Sequence, residues 1–159
     1  MLSVLSVVII RKATTADSAA ILEVLHTAFA PYEARYTPEG YEDTVLTPDT
    51  LRERFKTMTI FVATSGEKII GTIACSANGD EGHLRGMAVL PDRLGGGIAR
   101  ELLQAAEAEL RARNCKSVTL DTTEPLQRAM RFYEKNGYRR SGRISDFFGM
   151  PLYEYVKAL

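Results

Sequence analysis

This sequence has few cysteines, no surplus of charge and no long hydrophobic run, and each shortage excludes a class of protein. Its 159 residues include only two cysteines, Cys75 and Cys115, which fit no CxxC or Cys/His zinc spacing. Twenty basic and twenty acidic residues give a formal net charge of zero, whereas nucleic-acid-binding proteins usually carry a basic surplus. We therefore expect reduced thiols, no metal ion and no nucleic-acid partner.

The apolar run at residues 1–10 is the one segment that could be mistaken for an export signal. It lacks a basic leading segment and a small-residue cleavage site. It is also far shorter than the roughly 20 residues that span a bilayer. We interpret it as a first strand in a cytoplasmic protein that does not enter a membrane. No repeat or linker divides the chain, so residues 1–159 are expected to form a single domain.

Two glycine motifs that bind nucleotides are also missing. A P-loop requires Gly-Lys-Ser/Thr, and that triplet does not occur in the sequence. The dinucleotide fingerprint GxGxxG is interrupted, because Arg100 stands at the position of its third glycine. The sequence therefore favours neither class of nucleotide-binding protein.

The periodicity of apolar residues predicts alternating strands and helices. Thr14 and Asp17 have the spacing of a capping box before an amphipathic helix, which Pro31 is expected to end. We interpret residues 31–47 as irregular and residues 48–56 as a short helix that begins with proline. Further helices are predicted at residues 98–114 and 125–136, and further strands at residues 59–63, 68–75, 82–90, 117–120, 138–142 and 152–156. This order predicts a mixed α/β fold with helices on both faces of one sheet.

The glycine cluster at residues 95–97 is the first feature that suggests chemistry. A predicted strand runs into three consecutive glycines, which open an amphipathic helix. Such a turn can direct several backbone N–H groups to one point, and the helix N-terminus adds partial positive charge. A phosphate or diphosphate group is the expected occupant, and a flexible connecting loop is the alternative.

A second cluster, at residues 126–138, reads Leu-Gln-Arg-Ala-Met-Arg-Phe-Tyr-Glu-Lys-Asn-Gly-Tyr. Together the two stretches resemble the GNAT superfamily of N-acetyltransferases, whose motifs read V-x-P-x-x-R-G-x-G-x-G/A and N-x-x-A-x-x-F-Y-E-K-x-G-F/Y. The resemblance follows the order of elements along nearly the whole chain and is most specific at residues 84–138. It implies a mixed, mostly antiparallel central sheet of about seven strands with helices on both faces.

By this resemblance the chain binds acetyl-CoA as a co-substrate and transfers its acetyl group to an amine. Two positions depart from the family pattern: Leu94 replaces an Arg or Gln, and Leu126 replaces an Asn that often contacts the pantetheine arm. The residues that the resemblance assigns to the cofactor are Met87, Ala88, Val89, Leu94, Gly95, Gly96, Gly97, Ile98, Ala99, Arg100, Leu126, Ala129 and Phe132.

The resemblance also implies catalytic roles for three side chains. Tyr133 matches the general acid that protonates the departing CoA sulfur, although its place on an apolar stripe is also compatible with a core residue. His83 and Asp121 remain alternative general bases. Strand alternation puts His83 on the same face as Met87, and Gly86 between them is typical of either a bulge or a tight packing position.

The acceptor site of such enzymes is formed by the first two helices and a late loop. Here residues 31–51 hold five acidic residues and one basic residue, interleaved with tyrosines. We expect Tyr32, Tyr36 and Phe147 to contact a primary amine on a small cationic molecule or on a peptide or protein. A solvated acidic loop is the alternative interpretation of this segment. A non-catalytic CoA-binding sensor or assembly subunit is the alternative function, and a homodimer is compatible with either.

Overall fold

The computed structural model describes residues 7–159 as one layered α/β unit. Its strands are β1 (Val8–Lys12), β2 (Thr59–Ser65), β3 (Lys68–Asn78), β4 (Glu81–Val89), β5 (Ser117–Thr123), β6 (Arg139–Phe147) and β7 (Met150–Ala158). Its α-helices are α1 (Ser18–Phe29), α2 (Pro38–Val45), α3 (Pro48–Thr57), α4 (Ile98–Ala112) and α5 (Gln127–Lys135). Short 3-10 helices cover Thr15–Asp17, Ala30–Arg35 and Pro91–Arg93. The first six residues of the predicted N-terminal strand lie outside the described part of the chain.

The strands form one seven-stranded sheet in the order β1-β2-β3-β4-β5-β7-β6. Every neighbouring pair is antiparallel except β4 and β5, which run parallel. The parallel pairing is short: it joins residues 81–84 of β4 to residues 117–120 of β5 and then stops. Beyond that point the two strands have no paired residues, so the sheet is open at its centre. The predicted fold class is confirmed.

Helices cover both faces of this sheet. A Cβ built on Gly82 of β4 would meet Leu110 of α4, so this face of the strand packs on α4. A Cβ built on Gly86 would instead meet Arg54 of α3, on the opposite face. The central strands β2 and β3 are buried nearly throughout, as expected for strands covered on both sides. None of the described helices is long and apolar enough to cross a membrane.

A β-bulge in β4 explains why two glycines four residues apart face opposite sides. Thr72 of β3 pairs with Ala88, and Ala74 pairs with Arg85, so two residues of β4 lie opposite one residue of β3. Gly86, one of these two, has a φ of +64°, a conformation that glycine adopts without steric cost. The expected alternation is therefore wrong beyond Arg85: Ala88, and not Met87, shares the face of His83 and Arg85.

The segment predicted to be irregular, residues 31–47, is largely helical instead. Helix α1 ends at Phe29, just before Pro31 as predicted, but the 3-10 helix Ala30–Arg35 follows it directly. Proline is compatible with this position because it lies in the first turn of the new helix. Helix α2 then begins at Pro38 behind Thr37, whose hydroxyl accepts a hydrogen bond from the Gly40 N–H at 3.2 Å.

Two other predicted boundaries are corrected by turn geometry. Helix α5 begins at Gln127, and Pro125 precedes it in a turn closed by a 3.0 Å bond from the Leu126 N–H to the Thr123 carbonyl. The late loop is shorter than predicted, because β6 and β7 are joined only by Phe148 and Gly149. Both residues have positive φ, as a two-residue hairpin turn requires, and a phenylalanine rarely signals such a turn.

Candidate active site

One cleft of about 840 Å³ opens where β4 and β5 separate. Its walls come from the separated ends of both strands, the turn before α4, the inner face of α5, and residues from α1 to α3. A cleft of this size suits a large organic ligand, since ligand pockets typically measure roughly 300–1,000 Å³. The polar groups along its walls determine what it can bind.

The glycine turn lies at one end of the cleft and leaves backbone N–H groups without partners. Gly95 and Gly97 have φ of +85° and +81°, and a Cβ on either would meet no atom within 4 Å. Conformation, not space, therefore requires glycine at these two positions. The first intrahelical bond of α4 runs from the Glu101 N–H to the Gly97 carbonyl at 3.1 Å. The N–H groups of residues 98–100 thus have no acceptor within the helix, and they form a site for an anion.

The separated edge of β4 supplies further backbone groups. Leu90 donates its N–H to the Ile70 carbonyl of β3 at 2.9 Å. Because successive N–H groups of a strand point to opposite edges, the Val89 N–H points into the gap beside β5. Thr122 of β5 also lines the cleft, and its buried hydroxyl has no hydrogen-bond partner among the described residues. Buried polar atoms rarely lack partners, so this wall fits an extended ligand with amide groups, such as pantetheine.

Tyr133 is buried in α5 and reaches the wall of the cleft. Its ring packs edge-on against Phe132 and Tyr138, at centroid distances of 5.3 and 5.7 Å. No hydrogen bond joins its hydroxyl to any residue of the described chain. Burial raises the pKa of Tyr133 above its ordinary value, so the phenol keeps its proton at neutral pH. The group can therefore donate a proton into the cleft.

His83 and Asp121 lie side by side on the separated strands. His83 Nε2 is 3.8 Å from Asp121 Oδ2, and His83 Nδ1 is 2.9 Å from the hydroxyl oxygen of Thr119. Burial lowers the pKa of His83 and raises the pKa of Asp121, and each group opposes the shift of the other. His83 is therefore neutral at pH 7 and can accept a proton. The two bases that the sequence left as alternatives are neighbours.

The Thr119 hydroxyl also lies 3.4 Å from the Gly82 carbonyl, to which it can donate its proton. In that arrangement the hydroxyl oxygen accepts the proton of Nδ1, and the lone pair of His83 is on Nε2, the nitrogen nearer Asp121.

The opposite end of the cleft, lined by α1 to α3, is less acidic than its sequence suggests. Of the five acidic residues in residues 31–51, only Asp43 lines the cleft, and it pairs with Arg85 at 3.3 Å. Arg54 lines the same end. Tyr36 is buried there and shares a 2.6 Å hydrogen bond with the Thr123 hydroxyl. Charges of both signs, and not carboxylates alone, therefore line this end of the cleft.

The structure brings nearly all of the sequence-predicted site residues to this cleft. Those that line it are Tyr32, Tyr36, His83, Met87, Ala88, Val89, Leu94, Gly95, Gly97, Ile98, Ala99, Arg100, Asp121, Leu126, Ala129, Phe132, Tyr133 and Phe147. Gly96 is the exception, because it is exposed in the turn and does not line the cleft. Sequence reasoning missed Thr122 and Arg54, since neither belongs to a recognisable motif.

Comparison with known proteins agrees with this geometry. The profile of the Acetyltransferase (GNAT) family matches residues 21–138. N-alpha-acetyltransferase 30 of Schizosaccharomyces pombe is 30% identical over 103 residues, which cover 60% of this chain and 69% of that protein.

Two solved structures share the fold over nearly their whole length. PaiA N-acetyltransferase from Thermoplasma acidophilum, solved with coenzyme A, has a TM-score of 0.81 at 19% identity and covers 96% of this chain and 99% of its own. The ribosomal-protein-S18-alanine N-acetyltransferase from Escherichia coli has a TM-score of 0.78 at 19% identity. The match covers 96% of this chain and 94% of that protein. Since the family profile spans both the glycine turn and the tyrosine helix, this chain belongs to the GNAT acetyltransferase family and is an acetyl-CoA-dependent acyltransferase.

Proposed function

We propose that this protein transfers the acetyl group of acetyl-CoA directly to a primary amine, with both substrates bound at once. The observation that supports this most strongly is the composition of one cleft. An anion site, an unpaired strand edge, a protonated tyrosine and a neutral histidine all face the same space. Each of these groups would assist one part of acetyl transfer to an amine: cofactor binding, thioester orientation, protonation of the sulfur and deprotonation of the amine.

The cofactor-binding groups follow the length of the cleft. The N–H groups of residues 98–100 bind the diphosphate, and the Thr122 hydroxyl and the open edge of β4 bind the pantetheine arm. Acetyl-CoA, when bound, supplies an activated thioester beside Met87 and Ala88. The Val89 N–H, which points into the gap, stabilises the negative charge that develops on the thioester oxygen. Leu94 and Leu126 line the cleft without polar groups, so backbone N–H groups carry more of the binding.

Proton transfer is divided between two sides of the cleft. An alkylamine with a pKa of about 10.4 is mostly protonated at neutral pH, so a base must remove its proton. His83 accepts this proton, and Asp121 stabilises the imidazolium that forms. As the C–N bond forms and the C–S bond breaks, Tyr133 donates a proton to the departing sulfur and regains one from the nitrogen, which loses its second proton on becoming an amide. General acid and base groups of this kind typically contribute roughly 10²- to 10⁴-fold each.

Direct transfer is favoured over a covalent acetyl-enzyme by the positions of the cysteines. Cys75 and Cys115 are both buried, and neither lines the cleft. Burial raises the pKa of Cys75 to about 11, which leaves very little of the nucleophilic thiolate at neutral pH. No cysteine is therefore placed to carry the acetyl group between the two substrates.

The acceptor is proposed to be a primary amine of a small molecule or of a peptide or protein. Tyr32, Tyr36 and Phe147 give the acceptor end apolar surface for such a molecule. The test is thiol release from acetyl-CoA with a mixed panel of small amines, amino acids and peptides, followed by initial-rate kinetics on the best amine. Direct transfer predicts double-reciprocal lines that intersect. Parallel lines would indicate an acetyl-enzyme, and no amine-dependent thiol release would favour the non-catalytic sensor or assembly subunit.

A further inference from the structure

Arg54 stands out among the arginines of the cleft because it is partly buried and yet has no bonded partner among residues 7–159, whereas Arg100 and Arg128, which also have none there, are exposed. It lies in α3, is half-buried, and forms no ion pair or hydrogen bond with any residue from 7 to 159. Its neighbours differ in this respect. Arg85 pairs with Asp43 in the same cleft, and Arg52, on the same helix, pairs with Asp49 at 2.7 Å while remaining 61% exposed.

The guanidinium of Arg54 lies directly against the bulge of β4. An ideal Cβ on Gly86 would be 2.6 Å from Arg54 Nη1, closer than real contacts allow. The glycine therefore gives the guanidinium room to reach the strand. Gly86 immediately precedes Met87, where the thioester is proposed to bind. The guanidinium of Arg54 therefore lies close to the place where the thioester is proposed to react.

A half-buried guanidinium without a partner is costly, because it has lost water and gained no acceptor. Burial lowers the pKa of Arg54 to about 10, the nearby charge of Arg85 adds to the fall, and the more distant charge of Asp43, which is paired with Arg85, opposes it. The group still carries its charge at neutral pH. Its planar fork of N–H donors matches a carboxylate, which it can bind through two parallel hydrogen bonds.

We propose that Arg54 binds a carboxylate of the acceptor, which is therefore an amine with a free carboxylate a few bonds from its nitrogen, as in an α-amino acid. This inference rests on the proposed acetyl transfer to an amine. A single negative charge fits better than a phosphate dianion, because Asp43 and Asp121 line the same cleft and repel a second charge. A peptide N-terminus lacks the α-carboxylate, since its first α-carboxyl is an amide, and has a carboxylate at this distance only when its first residue is Asp or Glu.

The test uses matched pairs of acceptors: free amino acids and the corresponding amino acid amides. We would measure kcat and KM for both in the wild type, Arg54→Gln and Arg54→Lys. Arg52→Gln is the control, because Arg52 lies on the same helix but points to solvent. Comparing the acid-to-amide ratio between proteins cancels the different basicities of the two amines.

We expect Arg54→Gln to reduce the acid-to-amide ratio at least ~10-fold, mainly through KM for the acids, because charged hydrogen bonds of this kind are lost. Arg54→Lys should reduce the acid-to-amide ratio less than Arg54→Gln does, and Arg52→Gln should leave the ratio at its wild-type value. An equal loss for acids and amides, an unchanged ratio, or a lower melting temperature with both activities reduced would overturn the proposal.

A binding measurement separates this inference from the proposed function. The protein saturated with CoA is titrated with N-acetyl amino acids and with their amides. Tighter binding of the acids in the wild type than in Arg54→Gln supports the carboxylate site even if no amine in the panel reacts. Equal binding in both proteins refutes it. Failure of the proposed function would show instead as an absence of thiol release with every amine.

Discussion

Replacing Tyr133 by Phe removes one oxygen atom from the wall of the cleft and little else. The ring contacts with Phe132 and Tyr138 remain, because they do not involve the hydroxyl. The hydroxyl has no hydrogen-bond partner among residues 7–159, so its removal leaves no protein group unsatisfied. We expect the free energy of unfolding to change by less than about 0.5 kcal/mol, since no mechanism for a larger loss is present.

The effect on turnover follows from the role of the lost proton. General acid catalysis is typically worth ~10²–10⁴ in rate. A thiol has a pKa of about 8.5, so its thiolate is a tolerable leaving group even without a proton donor. The effect should therefore lie on the low side of that range. We expect kcat to fall at least ~10-fold, which corresponds to an increase of about 1.4 kcal/mol in the activation free energy. Burial keeps Tyr133 protonated throughout the ordinary assay range, so the loss should be the same at every pH from about 6 to 9.

The assay is steady-state thiol release combined with calorimetric measurement of acetyl-CoA affinity. Tyr138→Phe is an informative control, because Tyr138 donates a 2.7 Å hydrogen bond to the buried Glu107 and does not line the cleft. That variant should lose about 1–3 kcal/mol of stability and keep its turnover. Unchanged kcat in Tyr133→Phe would remove the hydroxyl from the mechanism. A fall in kcat accompanied by weaker CoA binding and lower stability would assign Tyr133 to packing.

Two further predictions concern the base and the glycine turn. Burial lowers the pKa of His83, so kcat/KM should fall only when the pH drops below about 6.5. Asp121 opposes that shift, so Asp121→Asn should move this fall to still lower pH and His83→Gln should abolish it; an identical pH profile in all three proteins would exclude His83 as the base. Gly97→Ala forces a side chain into a φ of +81° and should cost about 1–2 kcal/mol. Gly97→Ala should also weaken CoA binding. Gly96 has no positive φ, so Gly96→Ala should unfold at nearly the wild-type temperature. Equal melting temperatures for Gly97→Ala and Gly96→Ala would contradict the assigned turn.

The sequence predicts this fold well where local signals agree. The hairpin of β2 and β3, the helix after the glycine turn, and the closure of α5 at Gly137 all follow from turn residues and apolar periodicity. The region between α1 and α3 was less predictable. There, helix α2 has the composition of a loop, and it depends on the Thr37 cap and on packing against α1.

The cleft could be predicted only in part, for a physical reason. The motif residues lie within two continuous stretches, so their resemblance to the family is visible in the sequence. His83 and Asp121 are neighbours because β4 pairs in parallel with β5, although α4 separates these two strands along the chain. The bulge at Gly86, one of two interpretations that the sequence left open for this glycine, changes which side chains face α3, and apolar periodicity does not choose between the two. Arg54 of α3 lies against that bulge and belongs to no motif, which explains why sequence reasoning missed it.

The central claim is that backbone N–H groups at the N-terminus of α4 hold a diphosphate, and so direct a thioester toward an amine. The most direct test is calorimetric titration of the protein with coenzyme A and, separately, with pantetheine, which has the same thiol arm but lacks the diphosphate and the phosphoadenosine. We predict that coenzyme A binds and that pantetheine binds at least ~10-fold more weakly, since charge-assisted hydrogen bonds to the diphosphate are absent. Equal affinities for the two, or no binding of coenzyme A at millimolar concentration, would contradict the account.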